Sequence, residues 1–206
     1  MPLELSARML KAGLMIMAAA GLVGCATSAS VTVQQNFPTV VSKPRDIRAV
    51  IVMDHQFRNY QALPLKNIDI SFGSAQVDLW TKAFDGLFNQ VQVVTTKDEA
   101  SPGADLIITP SVQEVQLSTP NQSYLNVYEV WIKYSLDIET ADGVPIDRWF
   151  MPAYGKTPDS VLLSRSRAIE GATVVALRDA GAKLLLDFYR IPAIHVWMEQ
   201  RSAVGS

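Results

Sequence analysis

Tyr128-Glu129-Val130-Trp131-Ile132-Lys133-Tyr134-Ser135-Leu136-Asp137-Ile138-Glu139 is the stretch that decides the fold. Tyr128, Val130, Ile132, Tyr134, Leu136 and Ile138 share one parity, and Glu129, Lys133, Ser135, Asp137 and Glu139 share the other. Successive side chains of a strand point to opposite faces, so this alternation predicts a long strand with one face in a core and one toward water. Trp131 is the exception, an aromatic ring on the polar side. Ala141-Asp142-Gly143 follows, and Asp and Gly tolerate the positive φ of a hairpin turn, so Ile146 to Tyr154 is expected to return antiparallel.

Upstream, Ala104 to Leu117 reads as a strand whose apolar parity changes from Leu106, Ile108 and Val112 to Val115 and Leu117. A change of parity turns the inward face over, which predicts a bulge near Gln113-Glu114 or Pro110. Ala49 to Val52 is apolar without alternation, as in a strand buried on both faces. Val31 to Val33, Asn67 to Phe72 and Val91 to Thr95 complete the expected strands. Between the last two, Val77, Trp80, Ala83, Phe84, Leu87 and Phe88 recur at helical spacing, with Ser74 as the expected cap and an end near Asn89. A second helix is expected from after Pro158 to about Arg190, with Val174, Leu177, Gly181, Leu184, Leu185 and Phe188 on its apolar stripe and Pro192 as its stop. The fold class that follows is α/β, a two-layer sandwich with a mixed, mostly antiparallel sheet and two helices on one face.

The chain of 206 residues carries 18 basic and 20 acidic side chains. With no Lys/Arg cluster, it lacks the phosphate-facing surface of a nucleic-acid protein. One Cys excludes an intramolecular disulfide framework and a Cys-based zinc or iron-sulfur site, and two distant His leave no spacing for an imidazole site; no metal is expected. Gly73-Ser74-Ala75 lacks the second Gly and the His partner of a nucleophile elbow. Asp54-His55, after a buried strand, reads either as an acid-base pair or as the polar start of a loop. His195 lies in an apolar stretch as a packed or surface residue, and Asp142 with Asp147, or Asp98 with Glu99, shows no metal-loop spacing. Trp131, with Tyr124, Trp149 and Tyr154 nearby in the meander, is expected to form an apolar contact patch, or else to lie under a helix or stack on Lys133 or Arg148. Arg165, Arg167 and Arg178 either meet anionic partners or form a solvated helical face.

The first residues have a different character. Arg8 and Lys11 precede an uncharged run, Ala12 to Val23, too short to span a bilayer as a helix, which takes about 20 apolar residues. It ends Leu22-Val23-Gly24-Cys25, which resembles the lipobox of bacterial lipoproteins at all four positions. The resemblance implies cleavage between Gly24 and Cys25, a diacylglyceryl group on the Cys25 thiol and an N-acyl chain on its amine, with no other cofactor. One acyl chain holds marginally and two or three hold stably. Ala26 in place of Asp implies the outer membrane, with the domain on its periplasmic side. The expected organisation is a signal peptide over 1–24, a lipidated N-terminus and linker over 25–45, one α/β domain over 46–198 and a flexible tail over 199–206.

The layout from lipobox through Ala-Asp-Leu-Ile-Ile strand, Asp-Gly turn and Ala153-Tyr154-Gly155 to a C-terminal amphipathic helix is similar to YajG-type, PelC-type and ABC-transport auxiliary envelope lipoproteins. That resemblance implies a fold like the amino-terminal domain of TolB. It also implies a non-enzymatic accessory or scaffold role in envelope assembly, export or transport, with an envelope protein or a second copy of the chain as partner. The rival readings are a periplasmic module that binds a small lipid or glycan, and a hydrolase built on Asp54 and His55.

Overall fold

The computed structural model describes residues 28–123, 125–160 and 164–204. The expected signal peptide, the Gly24-Cys25 junction and Tyr124 lie outside them. The strands are β1 (Ala29–Thr32), β2 (Arg45–Val52), β3 (Gln61–Leu65), β4 (Ile68–Ser71), β5 (Phe88–Val94), β6 (Leu106–Ser118), β7 (Val127–Thr140) and β8 (Pro145–Pro158). The helices are α1 (His55–Arg58), α2 (Gly73–Leu87), α3 (Pro120–Ser123), α4 (Arg165–Asp187) and α5 (Pro192–Val204).

Two open sheets form. The larger has the order β5-β2-β6-β7-β8, with β2 parallel to β5 and β6, and β6, β7 and β8 in an antiparallel meander. The smaller has the order β1-β4-β3. The six even-numbered apolar residues of β7, Tyr128 to Ile138, are all buried, as their alternation requires. They share one core with Leu79, Trp80, Ala83, Phe84 and Leu87 of α2 and with Ala172, Ala176, Leu177, Ala180 and Leu184 of α4. The α/β sandwich is therefore as expected.

Close approach of α4 to β8 depends on small residues. A Cβ on Gly155 would run into the Ala172 carbonyl and the Ala176 amide of α4. The Ala168, Ala172, Ala176 and Ala180 stripe, at four-residue spacing and fully buried, supplies the complementary flat surface. Within the core, the Tyr134 hydroxyl donates to Gln76 Oε1 at 3.1 Å, and Gln76 Nε2 donates to the Phe57 carbonyl. The fully buried Tyr134 is thereby satisfied, and burial pushes its phenol well above its ordinary value.

Several boundaries differ from expectation. Ser74 does not cap α2; the helix begins at Gly73, where a Cβ would strike the Arg58 carbonyl and the Tyr60 amide, and Phe72 precedes it without a side-chain cap. The second helix ends at Asp187, short of the expected Arg190, and a 3-10 turn over Phe188–Arg190 leads to Pro192, which opens α5, since a Pro at a first helical turn has no N–H to lose. Part of the segment expected as a linker over 25–45 belongs to the fold: β1 pairs with β4, Val33 and Phe37 are buried, and the Phe37 amide donates to Asp78 at 2.9 Å. Of the tail expected over 199–206, the described residues to Val204 form the end of α5, where Arg201 meets Asp105 at 3.1 Å.

Candidate functional site

The register of the meander sorts its aromatics. Trp131 on β7 lies opposite Tyr154 on β8, and their ring centroids are 5.0 Å apart. As cross-strand partners both lie on the sheet face that points away from the helices. Trp149 lies opposite Leu136, on the inner face, and packs against the core. The expected patch of Trp131, Trp149 and Tyr154 is therefore divided between the two faces of the sheet, and Trp149 leaves it because it pairs with Leu136 and shares its face.

Two residues that the sequence reading did not single out take its place. Phe150 lies opposite Ser135 and is 51% exposed, and Pro152, opposite Lys133, is exposed as well. Both share the parity of Tyr154, which was the available signal. Lys133 Nζ sits 5.2 Å from the Phe150 ring centroid, a cation-π contact. On the third strand the ladder slips between Val112 and Glu114, at the expected bulge, which leaves Val112 opposite Tyr134 and Glu114 opposite Lys133. The slip brings Glu114 and Gln116 onto the outer face beside Lys133 and Trp131. The result is an open groove of about 410 Å³ lined by Glu114, Gln116, Ser118, Trp131, Ile132, Lys133, Phe150 and Pro152.

The rim is polar. The Tyr154 hydroxyl donates to Glu129 Oε1 at 2.6 Å, which holds the phenol protonated and above its ordinary value. Arg148 grips Asp137 through Nε and Nη2. An apolar strip within a charged rim is the usual layout of a protein contact surface. The other half of the same sheet face is covered: Val50, Val52, Val94 and Ile107 lie under Ala100 and Ala104. Gln92 holds that cover down, accepting from the Ser101 amide at 2.9 Å and donating to the Glu99 carbonyl at 3.1 Å.

The free edge of β8 is closed to another strand at its middle. Pro152 has no N–H, its carbonyl accepts from Lys183 Nζ at 2.7 Å, and the Tyr154 amide donates to Asp179 Oδ2 at 2.9 Å. Lys183 and Asp179 also pair with each other at 2.7 Å. Charges and Pro on an edge prevent sheet-to-sheet pairing.

The remaining sequence candidates are dispersed. Asp54 caps α1, accepting from the Phe57 amide at 2.7 Å, and His55 begins the helix with its side chain exposed, so the two form no pair. His195 pairs with Glu199 at 3.2 Å on exposed α5. The Asp142 carboxylate accepts from Thr140 Oγ1, which lowers it, within the turn where Gly143 takes φ +82°. Among the described residues no three His, Cys, Asp or Glu side chains gather as a metal site, and no helix is long and apolar enough to cross a membrane.

No family model matches the chain, and no curated protein matches it. This fold is shared by a DUF330-family protein of Xanthomonas campestris. Its crystal structure aligns with a TM-score of 0.53 at 11% identity, over 86% of this chain and 99% of that one. At that identity the likeness is one of fold. Lipoproteins are among the other structural neighbours. A PelC dodecamer from Paraburkholderia phytofirmans aligns with a TM-score of 0.42 at 14% identity, over 72% of this chain and 93% of that one. A minor lipoprotein from Acinetobacter baumannii aligns with a TM-score of 0.41 at 9% identity, over 70% and 92%.

Proposed function

We propose that this chain is a lipoprotein anchored by Cys25 in the outer membrane, facing the periplasm, and that it serves without catalysis as an accessory in envelope assembly, export or transport. The anchor rests on the lipobox Leu22-Val23-Gly24-Cys25. The accessory role rests on one observation: the outer sheet face is half covered by its own loop and half open as an apolar strip of Trp131, Tyr154, Phe150 and Pro152. A protein partner seated there would bury apolar side chains at the centre and meet Glu114, Lys133 and Glu129 at the rim. With the β8 edge held by Asp179 and Lys183, the face and not that edge is the contact surface.

The test is photo-crosslinking in the native envelope from a benzoylphenylalanine placed at Phe150. The expected result is a discrete adduct with another envelope protein that disappears when Trp131→Asp is added. Absence of any adduct from Phe150, with the protein folded and in place, would overturn the assignment.

A further inference from the structure

We infer that the β3–β4 hairpin docks on the lipid surface to which Cys25 tethers the chain, with Leu63 and Lys66 as its contacts; this rests on the acylation of Cys25 proposed above. Ala29 stands four positions after Cys25, a reach of at most about 14 Å with the chain fully extended. Ala29 is fixed in the fold. Its amide donates to the Asn67 carbonyl at 2.8 Å, and Ala29 to Thr32 pair with Ile68 to Ser71. The first residue of β1 therefore lies beside the Lys66-Asn67 turn. Leu65 pairs with Ile68, so two strand spacings, about 10 Å, separate it from Ala29. A tether this short holds the hairpin end of the domain close to the bilayer.

The surface brought there suits a lipid interface. β3 is an outer strand of its sheet, and its register against β4 slips between Ala62 and Leu65, around Pro64. Leu63 follows buried Ala62 and shares the outward face of Gln61, where it is 76% exposed. Lys66 is exposed at the turn. The nearby Asp69 carboxylate is engaged on the other side, accepting from Ser30 Oγ at 2.9 Å. A bare Leu enters the acyl boundary, and an ammonium beside it meets anionic headgroups. Two such contacts are weak when free in solution. On a tether they become intramolecular, so their role is to orient the domain while the acyl chains hold it.

The test uses the mature acylated protein, beginning at Cys25, on vesicles of phosphatidylethanolamine and phosphatidylglycerol. Cys25 is the only Cys of the chain and its thiol is blocked by the lipid, so an NBD label on Leu63→Cys reports that position alone. Flotation with the vesicles reads the anchor, and quenching by doxyl-phosphatidylcholine reads the docking. The expected result is flotation together with about two-fold or greater quenching at position 63, and the same at a labelled Lys66→Cys. Flotation with both labels unquenched would overturn the docking and leave the anchor standing. Protein that fails to float would overturn the acylation, and the docking with it.

Discussion

Lys183 Nζ donates to the Pro152 carbonyl at 2.7 Å, and through this bond a helix closes the edge of the sheet it covers. The same Lys pairs with Asp179, which takes the Tyr154 amide. Removing both side chains in Asp179→Ala/Lys183→Ala frees one donor and one acceptor on a 14-residue edge strand. We expect a loss of about 1 to 2 kcal/mol in urea unfolding and a new concentration-dependent association in sedimentation velocity. A monomer of unchanged stability would remove the edge-closing role.

The tryptophans of the meander separate by face. Trp131→Ala loses a half-exposed ring contact with Tyr154 and is expected to cost about 1 kcal/mol. Trp149→Ala opens the inner face and is expected to cost about 2 to 3 kcal/mol. Denaturant titrations of the two variants check the order.

Gly155→Ala is expected to cost about 3 kcal/mol, because the added methyl meets the backbone of α4 at Ala172 and Ala176, which has no rotamer by which to yield. Gly143→Ala, with open space around its Cβ but φ +82°, is expected to cost about 1 kcal/mol. The melting temperatures of the two variants give the comparison.

Asp105 joins three elements. Its burial pushes the carboxyl up, but hydrogen bonds from the Arg48 side chain and amide, and the charges of Arg201 and Arg48, outweigh that and hold it below the ordinary Asp value. A carboxyl lowered by folding stabilises fully above its unfolded value, about 3.9, and loses that stabilisation as pH falls through the lowered one. Stability of the native chain should therefore fall more steeply below about pH 4 than that of Asp105→Asn. Parallel unfolding curves against pH would contradict this.

Much of the fold was legible because β7 needs one dry face and one wet one, and its parity states which residues take each. The bulge was legible for the same reason, since Val112 and Val115 cannot both face the core without an extra residue between them. What was not legible depended on distant partners. Ser74 looks like a cap, yet the space at Gly73 against Arg58 and Tyr60 goes with a helix start two residues earlier, with Phe72 at the cap position. Trp149 looked like a neighbour of Trp131 in sequence, and only the pairing with Leu136 gives its face. The segment before residue 45 shows only the short Val31 to Val33 run and the tail shows no apolar stripe, and their places were set by Asn67, Asp78 and Asp105, far away in the chain.

Incorporation of labelled palmitate into the native chain and into Cys25→Ser, expressed in a Gram-negative host, tests the anchor on which the proposed role depends. Label in the native chain, absent from Cys25→Ser, with the native chain in the outer-membrane fraction, is the expected result. Label that persists in Cys25→Ser, or a native chain that takes up none, would contradict it.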